Sequence, residues 1–189
     1  MKGTDRHIRK INAQAEHLLD EMSLHGPKIL RRPPVADAWT PLQVLHHITM
    51  VERTSIDYLL YKFGTANKPP PRLTLRNRLT GKVVALALVS PMKFKAPSIV
   101  DSAQLAPAAS LDLDTLAHQM RSNRVELAGV LERLPEAWHR GAAYRHVTGG
   151  RMSLNDMMLF LRAHQDRHAK QIRRGLAQNA RYYRRKEAG

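Results

Sequence analysis

Residues 153–176 read SLNDMMLFLRAHQDRHAKQIRRGL, and their apolar spacing is that of one long amphipathic helix. Ser153 followed by Asp156 predicts a capped start. At about 100° per residue, His164 and His168 fall on the same broad stripe as the apolar side chains. That stripe consists of Leu154, Met157, Met158, Phe160, Leu161, Ile172 and Leu176. The stretch therefore predicts a core helix that carries two inward-facing imidazoles.

The histidine pair has two interpretations. Imidazoles four residues apart on a helix can point at one spot, and neutral imidazole is a common ligand of Zn, Ni and Fe. Alternatively, His164 and His168 are ordinary surface or core residues. Burial without a partner would cost about 1 to 3 kcal/mol for each ring. We therefore expect a partner in the interior, and a third ligand elsewhere in the chain.

A second helix supplies the best candidate for that ligand. Thr40, Pro41 and Gln43 form a helix start with a capping box, and the helix is predicted to run to about Phe63. His47 lies at the edge of its apolar stripe, whereas His46 is turned further away. The stripe consists of Val44, Leu45, Ile48, Val51, Ile56, Leu59 and Phe63. His47, His164 and His168 would leave coordination positions open, as catalytic metal sites do.

Glu52 lies in the middle of the same stripe, about 140° around the helix from His47. The two side chains are therefore not expected to hold one ion together. A buried carboxylate needs a partner. We expect an ion pair with an arginine such as Arg124 rather than a role in the site, and a packing role for Asn123 and Arg124.

Two further amphipathic helices are predicted, at residues 4–25 and 113–134, and no convincing alternating strand is present. The chain is therefore predicted to be all-α, a single domain spanning residues 1–189 with a four-helix bundle. Residues 64–110 form one long crossover or lid, with a short helix from about residue 73 to 89. The basic tail, residues 179–189, is expected to fray. His7, His17 and His25 are expected to be solvated.

Composition limits the function. A chain of 189 residues with 43% apolar and 25% charged residues suits one folded domain. No cysteine is present, which excludes disulfides, thiolate metal sites and a cysteine nucleophile. The first residues lack the apolar core of a secretory signal, and no apolar run is long enough to span a bilayer. A cytoplasmic protein without a membrane partner is expected. The net charge of +15 favours anionic partners.

Two blocks of sequence resemble a known family. Residues 39–48 read WTPLQVLHHI, and residues 164–172 read HQDRHAKQI after His146, Gly150 and Ser153. They resemble the E/Q-V-L-x-H and H-x-x-[RH]-H-x-x-Q-[IL] motifs of the DinB-like superfamily of bacterial four-helix-bundle metalloproteins, which includes YfiT-like proteins. The metal histidines of these motifs fall on His47, His164 and His168. Taken from Trp39 to Glu52 and from His146 to Ile172, the two blocks cover about a quarter of the chain.

The resemblance implies a divalent metal, Ni, Zn or Mn, in a three-histidine site at one end of the bundle, and often a homodimer. Characterised relatives transfer low-molecular-weight thiols such as bacillithiol or mycothiol, or isomerise substrates with their help. The long segment at residues 64–110 departs from the short connections of the compact relatives.

These observations favour a metal-dependent enzyme that acts on a small molecule, either a thiol-dependent S-transferase or an enzyme of hydrolase type. The metal would act as a Lewis acid. Gln171 would orient a ligand or the substrate. His146 is either a fourth ligand, a proton carrier or a structural residue.

The alternative is a non-enzymatic basic helical module that binds nucleic acid or another anionic partner. No helix-turn-helix, zinc-finger or aromatic stacking signature accompanies the charge, which weakens this interpretation. A bundle with an intact site and lost chemistry also remains open.

Overall fold

The structure, a computed structural model, describes residues 2–75, 77, 79, 106–146 and 150–188. Among them, six helices and a short hairpin follow in chain order: α1 Lys2–Ser23, α2 Pro27–Leu30, α3 Pro41–Thr65, α4 Leu113–Arg133, α5 Glu136–Arg140, β1 Tyr144–His146, β2 Gly150–Met152 and α6 Leu154–Glu187. A single 3-10 turn at Ala108–Ser110 precedes α4.

The four long helices, α1, α3, α4 and α6, pack together as a bundle. α6 packs against α1 and α3, and α4 packs against α3 and α1. The capped starts that the sequence predicted for α3 and α6 are confirmed. The hydroxyls of Thr40 and Ser153 accept hydrogen bonds from the backbone N–H groups of Gln43 and Asp156 at 3.2 and 3.0 Å. The predicted all-α four-helix bundle is confirmed.

The core consists of two apolar clusters that follow one another along the bundle. Along α6, the first cluster ends at Leu161 and the second begins at Ala169. Along α3, the second cluster reaches Ile48 and the first begins at Ile56. Residues 49–55 and 162–168, together with the nearby His47, therefore form a more polar layer between the two apolar clusters. This layer holds the candidate site.

Several local expectations were wrong. No strand was expected, yet β1 and β2 form an antiparallel hairpin in which Tyr144 pairs with Met152. Strands of three residues are too short to show an alternating pattern. Phe63 is 38% exposed rather than part of the core, and its ring meets Trp138 edge-on at 5.4 Å. Of the three N-terminal histidines, His17 is exposed, while His7 and His25 are half-buried.

The tail does not fray where expected, because α6 continues to Glu187. Asn179 is fully buried, and its amide donates hydrogen bonds to the carbonyls of Ile29 and Arg32 at 2.9 and 2.7 Å. The guanidinium of Arg32 lies 3.4 Å above the ring of Tyr182. These contacts hold the end of α6 against α2 and the residues that directly follow α2.

Most of the crossover, including most of the predicted short helix at residues 73–89, lies outside the described residues. The lid role of residues 64–110 therefore stays a prediction. None of the helices in the described ranges combines the length and apolarity that a membrane crossing requires.

Candidate metal centre

Three histidines meet where α3 faces α6. His47 comes from the second turn of α3, and His164 and His168 come from successive turns of α6. One nitrogen from each ring lies within 4.8 Å of the other two. Three atoms so placed have a common centre no more than about 2.8 Å from each, close to the roughly 2.1 Å of a Zn–N bond. The sequence-predicted trio is therefore brought together.

The rings are oriented so that specific nitrogens face the common centre. The Nε2 atoms of His47 and His164 lie 3.1 Å apart. Gln171 fixes the third ring, because its Oε1 lies 2.9 Å from Nδ1 of His168. An amide oxygen only accepts, so Nδ1 of His168 donates, and Nε2 of a neutral ring keeps its lone pair. An outer partner of this kind commonly sets the tautomer of a metal-binding histidine.

Burial favours the neutral form of all three rings. Desolvation, with smaller contributions from His168 and His46, lowers the pKa of His47 to about 4. Desolvation also lowers the pKa of His164 well below its ordinary value. The pKa of His168 is lowered by desolvation too, although the bond to Gln171 opposes that shift. Neutral imidazole is the form that binds metal ions. The donor set therefore fits a divalent cation at neutral pH.

Aromatic side chains surround the cluster. The ring of Trp39 lies 5.2 Å from that of His47, and the ring of Phe160 lies 5.6 Å from that of His164. His146 contacts Phe160 edge-on at 4.4 Å but is not a member of the three-histidine cluster. The three alternatives for its role, a fourth ligand, a proton carrier or a structural residue, stay open predictions. His46 also lies outside the cluster, as its position on α3 predicted.

Glu52 has the partner that the sequence predicted. Its Oε1 accepts a hydrogen bond from Nη2 of Arg124 at 2.7 Å, and both side chains are buried. Burial raises the pKa of Glu52, and Arg124 opposes that shift. Asn123 donates to the carbonyl of Thr49 at 3.0 Å, which is the packing role expected of it. Glu52 is therefore part of a buried ion pair and is not a member of the three-histidine cluster.

Sequence reasoning did not single out Gln165. Its Oε1 accepts from Nη2 of Arg124 at 2.6 Å, and its Nε2 donates to the carbonyl of Ile11 at 3.2 Å. It directly follows His164 and lies in the apolar stripe of α6. A glutamine on the apolar stripe of a helix is expected to be buried and therefore to need hydrogen-bond partners on other helices. The position of Gln165 on that stripe could have predicted its role.

A family model described as the DinB superfamily matches residues 8–172 of the chain. The chain belongs to the DinB superfamily. The match covers α3 and most of α6, with the three histidines. The resemblance that the two sequence blocks indicated is therefore confirmed.

The fold of this DinB superfamily member is similar to a solved structure, that of YfiT from Bacillus subtilis, a probable metal-dependent hydrolase with an unusual four-helix bundle topology. The two chains are 17% identical, with a TM-score of 0.59 over 91% of this chain and 85% of the other. At this identity the likeness supports the fold alone. No curated protein sequence matches the chain.

Proposed function

We propose that His47, His164 and His168 hold one divalent cation, and that this DinB superfamily member is a metal-dependent enzyme. The supporting observation is the approach of three imidazole nitrogens to within 4.8 Å of one another between two helices. Burial keeps these rings neutral. Bundle cores commonly build metal sites from facing helices in this way.

Three protein ligands leave coordination positions for substrate or solvent, as in catalytic rather than structural sites. When bound, the cation would supply Lewis-acid chemistry, polarising a substrate and making a water or a thiol more acidic. Ni, Zn and Mn are the candidates that the family resemblance favours.

The surrounding residues have supporting roles in this proposal. Gln171 holds the ring of His168 in one orientation and one tautomer. Trp39 and Phe160 line the rings of His47 and His164 and limit access of water from those sides. Besides desolvation, which is the main cause, the positive charge of Arg167 makes a smaller contribution to the lowered pKa of His164 and of His168. The same charge would attract an anionic co-substrate.

Two reactions on a small molecule suit this arrangement, and they differ in the nucleophile. A low-molecular-weight thiol would make the protein an S-transferase, as the resemblance to thiol-dependent relatives suggests. Water would make it a hydrolase, as the description of YfiT suggests. A homodimer and a cytoplasmic location stay predictions of the same resemblance and of the sequence.

One experiment tests the proposal and separates the two reactions. Purified protein is stripped with a chelator, reloaded with Zn, Ni or Mn, and assayed with an electrophile in the presence and absence of a thiol, and with ester and amide substrates. We expect turnover that depends on the metal and is lost in His168→Ala, while His46→Gln keeps it. Turnover that survives stripping would contradict the proposal, as would salt-sensitive binding of DNA by a protein that takes up no metal.

A further inference from the structure

One buried arginine links all four long helices of the bundle in the polar layer that holds the three histidines. Arg124 of α4 donates from Nη2 to Glu52 of α3 and to Gln165 of α6, at 2.7 and 2.6 Å. From Nη1 it donates to Asn12 of α1 at 3.3 Å. Gln165 donates in turn to the carbonyl of Ile11, also on α1. One guanidinium thus has acceptors on the three other long helices.

Two of the acceptors lie within five residues of a candidate ligand in the chain. Gln165 directly follows His164 on α6, and Glu52 lies five residues after His47 on α3. The side chains of Arg124, Glu52 and Gln165 are 7%, 4% and 1% exposed, so water does not loosen these bonds. The two helices that carry the ligands are therefore joined through one guanidinium group within the polar layer that holds the histidines.

Stability alone does not explain such a cluster. A buried ion pair is often no more stabilising than apolar residues of similar volume, because both charges lose their hydration. In addition, Oε2 of Glu52 and Nε of Arg124 have no hydrogen-bond partner among the described residues. The best-attested benefit of buried polar groups in helical bundles is that they fix the register of the helices.

We propose that Arg124 is a positioning residue, which sets the register of α3 against α6 and thereby the approach of His47 to His164. This inference rests on the proposed metal site. Apolar side chains above and below the layer would allow small rotations and shifts of the helices, whereas the planar guanidinium meets its acceptors in one arrangement only. Metal–nitrogen bonds tolerate errors of about 0.2 Å, so a small shift of α6 would weaken the site.

The test replaces the whole cluster at once, so that no buried charge is left alone. Glu52→Leu, Arg124→Met and Gln165→Leu are combined in one protein, and Zn affinity and the visible spectrum of bound Co(II) are measured. The matched control is Arg121→Gln with Glu16→Gln, which removes an exposed pair between α4 and α1 with a 2.6 Å contact. Circular dichroism and thermal unfolding report folding in every variant.

We expect the triple variant to fold with an unchanged or raised melting temperature, and to lose roughly tenfold or more in Zn affinity, the range seen for outer partners of metal ligands. Its Co(II) spectrum should change, while the control keeps both properties. A folded triple variant with wild-type affinity and spectrum would overturn the inference.

A second variant covers the case in which the triple variant does not fold. Gln165→Met alone frees α6 from Arg124 and leaves the ion pair of Arg124 with Glu52 intact. Its Zn affinity and its Co(II) spectrum then test the inference, and values equal to those of the wild type would overturn it. Wild-type protein that binds neither Zn nor Co(II) would overturn the proposed function and this inference together. Failure of the inference alone is seen when the wild type binds and the variants bind equally well.

Discussion

The Nε2 atoms of His47 and His164 lie 3.1 Å apart across the interface of α3 and α6, although 117 residues separate them in the chain. Two nitrogens about 2.1 Å from one ion would be about 3.0 to 3.4 Å apart for bond angles between octahedral and tetrahedral values. The separation therefore matches that of two ligands of one cation. His168, held by Gln171, supplies the third direction.

We expect Gln171 to contribute measurably to metal affinity through its hydrogen bond to His168. Gln171→Leu removes the acceptor of Nδ1–H of His168, so the ring can rotate and change its tautomer. We expect Zn affinity to fall by roughly 10- to 100-fold, with little change in melting temperature. The matched control is Gln178→Leu, at an exposed position of the same helix. Equal affinities in the two variants would show that the bond to Gln171 does not orient a ligand.

The site should keep its metal at a lower pH than an exposed histidine site would. The pKa of His47 is lowered from 6.5 to about 4, and the pKa values of His164 and His168 are lowered as well. Protons therefore compete with the metal at a lower pH than they would at exposed histidines. We expect Zn retention through pH 6 and loss as the pH approaches about 4, measured by dialysis and elemental analysis. Half-loss near pH 6.5 would contradict the burial of the rings.

The same groups set the sign of the pH dependence of folding in the metal-free protein. The three histidines are protonated near pH 6.5 in the unfolded chain and at a lower pH in the folded one, so the unfolded state binds more protons between these values. Their contribution to stability is complete above about pH 6.5 and is lost as the pH falls toward the folded pKa of His47, about 4. Urea unfolding between pH 6.5 and about 4 should show a falling free energy of unfolding. We expect the fall to be smaller in His47→Asn, which has one titrating group fewer.

Removal of Arg124 alone should be far more harmful than replacement of the whole cluster. Arg124→Met leaves the carboxylate of Glu52 buried without a partner, and breaking a buried pair in this way costs about 3 to 5 kcal/mol. Urea unfolding gives the free energy of unfolding, with Arg121→Met as the control because its partner Glu16 is half-exposed and the pair is open to solvent. Similar losses in the two variants would mean that the Glu52 pair behaves as a surface pair.

The trio of histidines was predictable because helical periodicity carries the information. His164 and His168 share a stripe with Leu161 and Ile172, and the capping box at Thr40 fixes the start of α3 and hence the direction of His47. The pairing of Glu52 with Arg124 followed from the cost of a buried carboxylate. For the histidines and for Glu52, the position of the residue around its helix and the cost of burying a polar group were enough to make the prediction.

Other features depend on contacts that a local pattern does not encode. The strands that pair Tyr144 with Met152 are too short to show an alternating apolar pattern. Gly150 has a φ of 69°, and a glycine in the sequence indicates only that a turn is possible there. The order of α6 beyond Asn179 comes from bonds to one carbonyl in α2 and one just after it, about 150 residues earlier. The approach of Trp39 to His47 results from the path of a loop. Long-range packing decides all three.

The most direct measurement is the metal content of the purified chain, together with X-ray absorption of the bound ion. We expect close to one divalent metal per chain, with about three imidazole nitrogens near 2.1 Å, and less than about a hundredth of the affinity in His164→Ala. His46→Gln should retain the metal in full. A folded wild-type protein that takes up no Zn, Ni or Mn, or a His164→Ala variant that binds as tightly as wild type, would contradict the central claim.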